Sequence, residues 1–191
     1  NLTMSQPNLA QCYAFIDKYY ADNPECKRIL TTHVEMVRAK ALEIADRVAH
    51  LNPDRSFIEE ASLLHDIGIF KTNTPSIHCH GSEPYIAHGY LGRELLEAEG
   101  LPRHALVADR HTGSGLAKDE IIAQKLPIPA RDMLPLSIEE KIVCYTDCFY
   151  TKKPDRLKMP KTVDEIRASF IKSDLKAALA RFDELHVLLG E

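Results

Sequence analysis

An all-α fold is what this chain predicts, on three observations. Apolar residues recur at helical spacing along most of its 191 residues. Three Ser/Thr-x-x-Glu patterns, Ser56 with Glu59, Ser137 with Glu140 and Thr162 with Glu165, stand at the start of apolar runs, where hydroxyl and carboxylate can cap a helix reciprocally. No segment alternates convincingly at the period of a strand.

The elements follow in order. A first helix is predicted over about 8–22 and stopped by Asn23-Pro24; Pro24 then opens a second, over about 24–51. In that second helix Leu30, Val34, Val37, Ala41, Ile44, Ala45 and Val48 form one stripe, with His33 on the same face. After "LNPDRS", the Ser56/Glu59 box starts "FIEEASLLHDIG". Residues 71–84, "KTNTPSIHCHGSEP", read as a long polar loop carrying His78 and His80. A helix over about 85–99 has Gly100 as its C-cap, and Pro102 opens another that ends at "HTGSG". Residues 115–136 read as irregular. Two further helices start at the Ser137 and Thr162 boxes, the last running over about 162–189. We read one domain over 1–191, its core at about 25–160, with N-terminal and C-terminal helices packing on it.

Composition bounds the function classes. Net charge is −4, so no basic surface advertises a nucleic-acid polymer or an anionic membrane, and no apolar run approaches a membrane span. No signal peptide is visible, and the five cysteines are odd in number; both favour reduced thiols and a cytoplasmic location. Asn1-Leu2-Thr3 matches a glycosylation sequon but reads as a remnant ahead of Met4. Cys144 and Cys148, four apart, are either small buried apolar residues or a metal-binding pair.

Chemistry concentrates at charged groups in apolar surroundings. Asp147 is the only charged residue in "IVCYTDCFY", and His65-Asp66 lies inside "LLHDIGIF". Each needs a partner, since a buried unpaired carboxylate is costly. One divalent ion shared by His33, His65, Asp66 and Asp147 would satisfy all four together, imidazole and carboxylate being suitable ligands for first-row metals. Two consecutive helix residues point about 100° apart. Asp66 could therefore also reach a second ion held by His88 and His111, and paired metals about 3.5–4 Å apart suit phosphate chemistry.

The order His33, His65-Asp66, Asp147, with "LLHDIG" as its most recognisable segment, resembles the HD superfamily of metal-dependent phosphohydrolases over about residues 25–185. His88 and His111 resemble the dinuclear members. "HTGSG" and the region after Asp147 look most like the bacterial branch that cleaves diadenosine tetraphosphate symmetrically. Two features depart from the pattern: Ile69 stands where many relatives have Lys, and "HTGSG" where that branch has "HTTG".

The resemblance implies an HD-domain helical bundle with a metal centre between core helices. It implies one or two divalent ions (Fe, Mn, Zn, Co or Ni) and hydrolysis of a nucleotide or other small phosphoester. Water between the ions would be the nucleophile, with His65 and Asp66 as the catalytic pair. Two other activities share the ligand set: nucleotide binding for regulation with little turnover, and di-iron oxygenation. Lys71, Arg110, Lys152, Lys153 and Arg156 are candidate substrate cations, and His80 a candidate general acid. His50, His104 and His186 read as surface residues. The expected partner is a small molecule, with no nucleic-acid polymer and no membrane; a homodimer is compatible with the pattern.

Overall fold

The computed structural model describes residues 6–191; the Asn1-Leu2-Thr3 sequon lies outside them. The helices are α1 (Leu9–Tyr20), α2 (Pro24–Arg47), α3 (Arg55–Leu64), α4 (His88–Ala98), α5 (Pro102–Asp109), α6 (Lys118–Ala123), α7 (Ile138–Asp147), α8 (Val163–Lys172) and α9 (Lys176–Leu189). Among the described residues none is long and apolar enough to cross a membrane.

Local chemistry sets most of the boundaries. Asn8 and Gln11 close a reciprocal cap on α1, each bond 2.8 Å long. Asn23 caps α2 through the Cys26 amide, with Pro24 in the first turn. Ser137 accepts from the Glu140 amide at the start of α7, and Thr162 with Glu165 forms the predicted box on α8. Gly100, with φ of 80°, supplies the left-handed residue after α4, and the Leu101 amide turns back to Leu96 O at 2.8 Å.

Four expectations change. The cap of α3 is Asp54, which accepts from the Phe57 amide at 3.1 Å, so the Ser56/Glu59 pattern does not form. A carboxylate there also complements the helix dipole. The single helix over 162–189 is two: Asp174 adopts φ of 54° and the Leu175 amide bonds Phe170 O, so α8 ends and α9 turns back along it. Aspartate is a weaker stop signal than Gly or Pro, and the pattern did not reveal it. Residues 115–136 contain α6, and the 71–84 loop contains a two-residue hairpin, β1 (Asn73–Thr74) against β2 (Cys79–His80).

The buried side chains form two clusters. One joins α1 and the first half of α2 to Leu63, Leu64, Leu96 and Ala105. The other joins the second half of α2 to α7, α8 and α9 through residues such as Ile44, Ile142, Ile166 and Phe182. Leu30 and Val34 belong to the first cluster and Val37 to the second, so His33 stands where the two meet.

Candidate metal centre

Five segments converge at that boundary. His33 projects from the interior of α2 and is fully buried. His65 and Asp66 do not lie within a helix as expected: α3 ends at Leu64, His65 caps it, and Asp66, with φ −104° and ψ 14°, starts a 3₁₀ turn over Ile67–Lys71. The turn, rather than helical rotation, separates the two side chains. Buried Tyr20 clamps it, donating to Ile67 O at 2.7 Å and accepting from the Phe70 amide at 3.1 Å. His88 opens α4, His111 follows α5, and Asp147 ends α7.

The carboxylates sit at the centre of the imidazoles. His33 Nε2 is 3.0 Å from Asp66 Oδ2 and 2.9 Å from Asp147 Oδ1; His65 Nε2 is 3.1 and 3.2 Å from the same two atoms. On the other side of Asp66, Oδ1 is 3.3 Å from His88 Nε2 and 3.1 Å from His111 Nε2. Two potential ion sites, His33/His65/Asp66/Asp147 and Asp66/His88/His111, thus share Asp66.

Three of the rings are oriented by one device. Nδ1 of His65, His88 and His111 lies 2.6 Å from the carbonyl three residues earlier, at Ser62, Tyr85 and Ala108. A carbonyl only accepts, so each Nδ1 carries the hydrogen, and in the neutral ring Nε2 presents a lone pair. This is how metal-binding histidines are commonly held. Both oxygens of buried Asp66 lack a hydrogen-bond partner of proper geometry. Convergent lone pairs around this buried carboxylate fit a divalent cation, which could satisfy them together.

The electrostatics describe the cluster without an ion. Burial works to raise Asp66 and Asp147, but the neighbouring His65 charge, joined at Asp66 by Lys152, outweighs it and holds both carboxyls well below their usual range. Burial likewise opposes a charge on His65, and Asp66 and Asp147 overcome it, pushing the imidazole up to about 10. Burial dominates at His88, which is lowered. An entering metal would replace a proton on His65.

Among the predicted substrate cations, only Lys152 reaches the cluster. Its Nζ lies 2.9 Å from Asp66 Oδ2 and 2.7 Å from the Tyr85 hydroxyl. Arg110 is instead committed to Glu140 at 2.6 Å, and Arg156 pairs with Glu165 at 3.4 Å. His80 is exposed on β2, Lys71 is half-buried at the end of the Asp66 turn, and Lys153 lines an adjoining surface groove that shares Tyr85, Thr151 and Lys152 with the Asp147 side. Sequence adjacency to a motif does not determine where a long side chain points.

A cleft of about 290 Å³ opens from Asp147, lined by Tyr85, Thr151, Lys152, Lys161 and Phe170. The Asp147 side chain is 15% exposed while that of Asp66 is fully buried, so Asp147 forms the mouth. Tyr20 and Lys161 carried no signal in the sequence pattern, because each acts from a distant segment, and Tyr85, three residues before His88, was not singled out by it. His104, read as a surface residue, is buried and bonds Glu60 at 3.0 Å; His186 is half-buried against Tyr145. Cys144 and Cys148 both direct Sγ to Gly113 O.

Comparison with known proteins agrees with this geometry. The HD domain family profile matches residues 30–151. A tRNA (cytidine(56)-2'-O)-methyltransferase of Picrophilus torridus is 36% identical over 68% of the chain and 36% of its own length. One of the same name from Thermoplasma volcanium is 30% identical over 96% of the chain and 47% of its own length. An uncharacterized protein of Methanocaldococcus jannaschii is 31% identical over 86% of the chain and 92% of its own length. The chain thus spans less than half of the two methyltransferases it matches. No solved structure matches significantly. The expectation that excluded a nucleic-acid polymer is overturned, since two relatives are named for tRNA. That expectation rested on whole-chain charge, which averages over the surface and does not register a local cationic cleft.

Proposed function

The chain belongs to the HD domain family, and from that premise we propose that it is a metal-dependent phosphohydrolase acting on a nucleotide phosphoester. The observation that carries the proposal is the pair of His/Asp clusters sharing Asp66 and opening, past Asp147, onto a cleft with two lysines. His33, His65, Asp66 and Asp147 would hold one divalent ion, and Asp66, His88 and His111 a second. When bound, such ions polarise a phosphoryl group and make a water acidic enough to attack near neutral pH.

The chain's own groups do the rest. The main-chain carbonyls behind His65, His88 and His111 keep the rings aimed without reorganisation. Asp66, unable to turn to solvent, is fixed with one oxygen toward each set of imidazoles, where it would hold both ions. Lys152, held by Tyr85, balances the carboxylate charge and faces the phosphate side; Lys161 receives the rest of an anionic substrate. Tyr85 and Phe170 offer apolar faces to a base.

A second reading follows from the relatives' names: the phosphoester is carried on tRNA rather than on a free nucleotide. Metal analysis of the purified protein, then phosphate or nucleotide release from a panel of mononucleotides, dinucleoside polyphosphates and tRNA, tests both. Metal-dependent release supports the hydrolase, and the productive substrate selects between the readings. Absence of release from every member, with metal bound, would overturn it.

A further inference from the structure

Cys26 and Cys79, 53 residues apart in sequence, face each other with Sγ atoms 3.0 Å apart and are both fully buried. We propose that they are a disulfide-forming pair that locks the 71–84 hairpin onto the first turn of α2. Two other contacts between the same segments make the approach a built one. Asn23 Nδ2 donates to His78 O at 2.6 Å, and His78 Nδ1 lies 3.0 Å from Glu25 Oε2. Three of the first residues around α2 therefore hold two consecutive residues of the hairpin.

The geometry favours a bond between these two sulfurs over any other pairing. Cys12 shares their apolar cluster, but among the described residues the contact between two sulfurs is that of Cys26 with Cys79, and Cys144 and Cys148 direct their thiols to a main-chain carbonyl. With a small-molecule disulfide as oxidant, the thiolate of one member of the pair attacks one of its sulfurs and expels a thiolate. The other cysteine, losing its proton, then attacks the protein sulfur of that mixed disulfide and expels the second thiolate. The net change is two protein thiols to one disulfide, and one small disulfide to two thiols. Because both sulfurs are sealed in the folded chain, exchange occurs before the hairpin docks or when it opens.

The bond would tie the segment that leaves the Asp66 turn to the helix that carries His33, and would close a loop of 53 residues. Such a closure raises the melting temperature of a chain this size by on the order of 5–10 °C.

The test is refolding from denaturant in a buffer of oxidised and reduced glutathione, followed by thiol counting and peptide mapping. The expected count falls from five to three, from the five cysteines of the chain. The expected mapped pair is Cys26–Cys79, with a melting temperature that drops on adding reductant. Cys26→Ser and Cys79→Ser each keep four thiols and lose the reductant-sensitive shift. A count that stays at five, or a disulfide involving any other cysteine, overturns the proposal, and neither result depends on how the variants fold or on the enzymatic activity.

Discussion

His88 Nε2 and His111 Nε2 face one another at 2.9 Å, while Nδ1 of each ring is hydrogen-bonded to a main-chain carbonyl. With both rings neutral, two lone pairs point at each other across a gap that no hydrogen fills. A cation resolves that contact. His88→Ala or His111→Ala is therefore expected to lower bound metal from two equivalents to one, read by elemental analysis after equilibration with excess divalent ion. Retention of two equivalents in both variants would remove the second site from the scheme.

Asp66 is the side chain that the two clusters share. Asp66→Asn keeps the volume and removes half the acceptor capacity. It should abolish both ions and cut kcat/KM by more than the roughly 10–100-fold typical of changing a residue behind a ligand. Chelation of the wild-type protein should give the same loss, and adding the ion back should rescue the wild type alone.

Lys161 lines the cleft, and among the described residues no ion pair joins it to the His/Asp cluster. Lys161→Ala should raise KM for an anionic substrate by on the order of tenfold and leave kcat nearly unchanged, as expected for a charge-assisted contact made equally in ground and transition states. Steady-state kinetics separate the two constants; a fall in kcat with KM unchanged would place Lys161 elsewhere in the mechanism.

Gly68 explains a glycine of the "HDIG" segment by close approach. A Cβ there would stand 2.4 Å from His88 O and 2.6 Å from Gly92 N, both main-chain atoms of α4. Gly68→Ala must push the Asp66 turn away from His88. The cost is expected at about 1–3 kcal/mol or more, with a fall in melting temperature on the order of 5 °C and weakened metal retention.

Burial holds the His104 imidazole below its ordinary value, against the pull of Glu60, with Arg103 opposing the proton and Asp54 favouring it. The unfolded histidine takes up a proton below about pH 6.5, while the folded one resists it. Its contribution to stability is thus complete above that pH and is lost as pH falls. The urea midpoint of the wild type should drop more between pH 7.5 and 5.5 than that of His104→Gln; equal drops would mean His104 does not carry the effect.

What could be read in the residues was local. Helix starts at Asn23-Pro24, Ser137 and Thr162, the stop at Gly100 and the six polar groups in apolar runs all depend on neighbours within a few positions. Helical period, capping and the cost of burying a charge act at that range. Folding decided the rest. It put Asp54 rather than Ser56 at the start of α3 and broke 162–189 at Asp174. It buried His104 against Glu60, brought Lys152 rather than Arg110 to Asp66, and placed Cys26 against Cys79. Each of these depends on which side chain from a remote segment arrives at hydrogen-bonding or ion-pairing distance, and spacing along the chain carries no measure of that distance. The six residues His33, His65, Asp66, His88, His111 and Asp147 were identifiable one by one. Only the packing of α2, the Asp66 turn, α4, α5 and α7 makes them face a common centre.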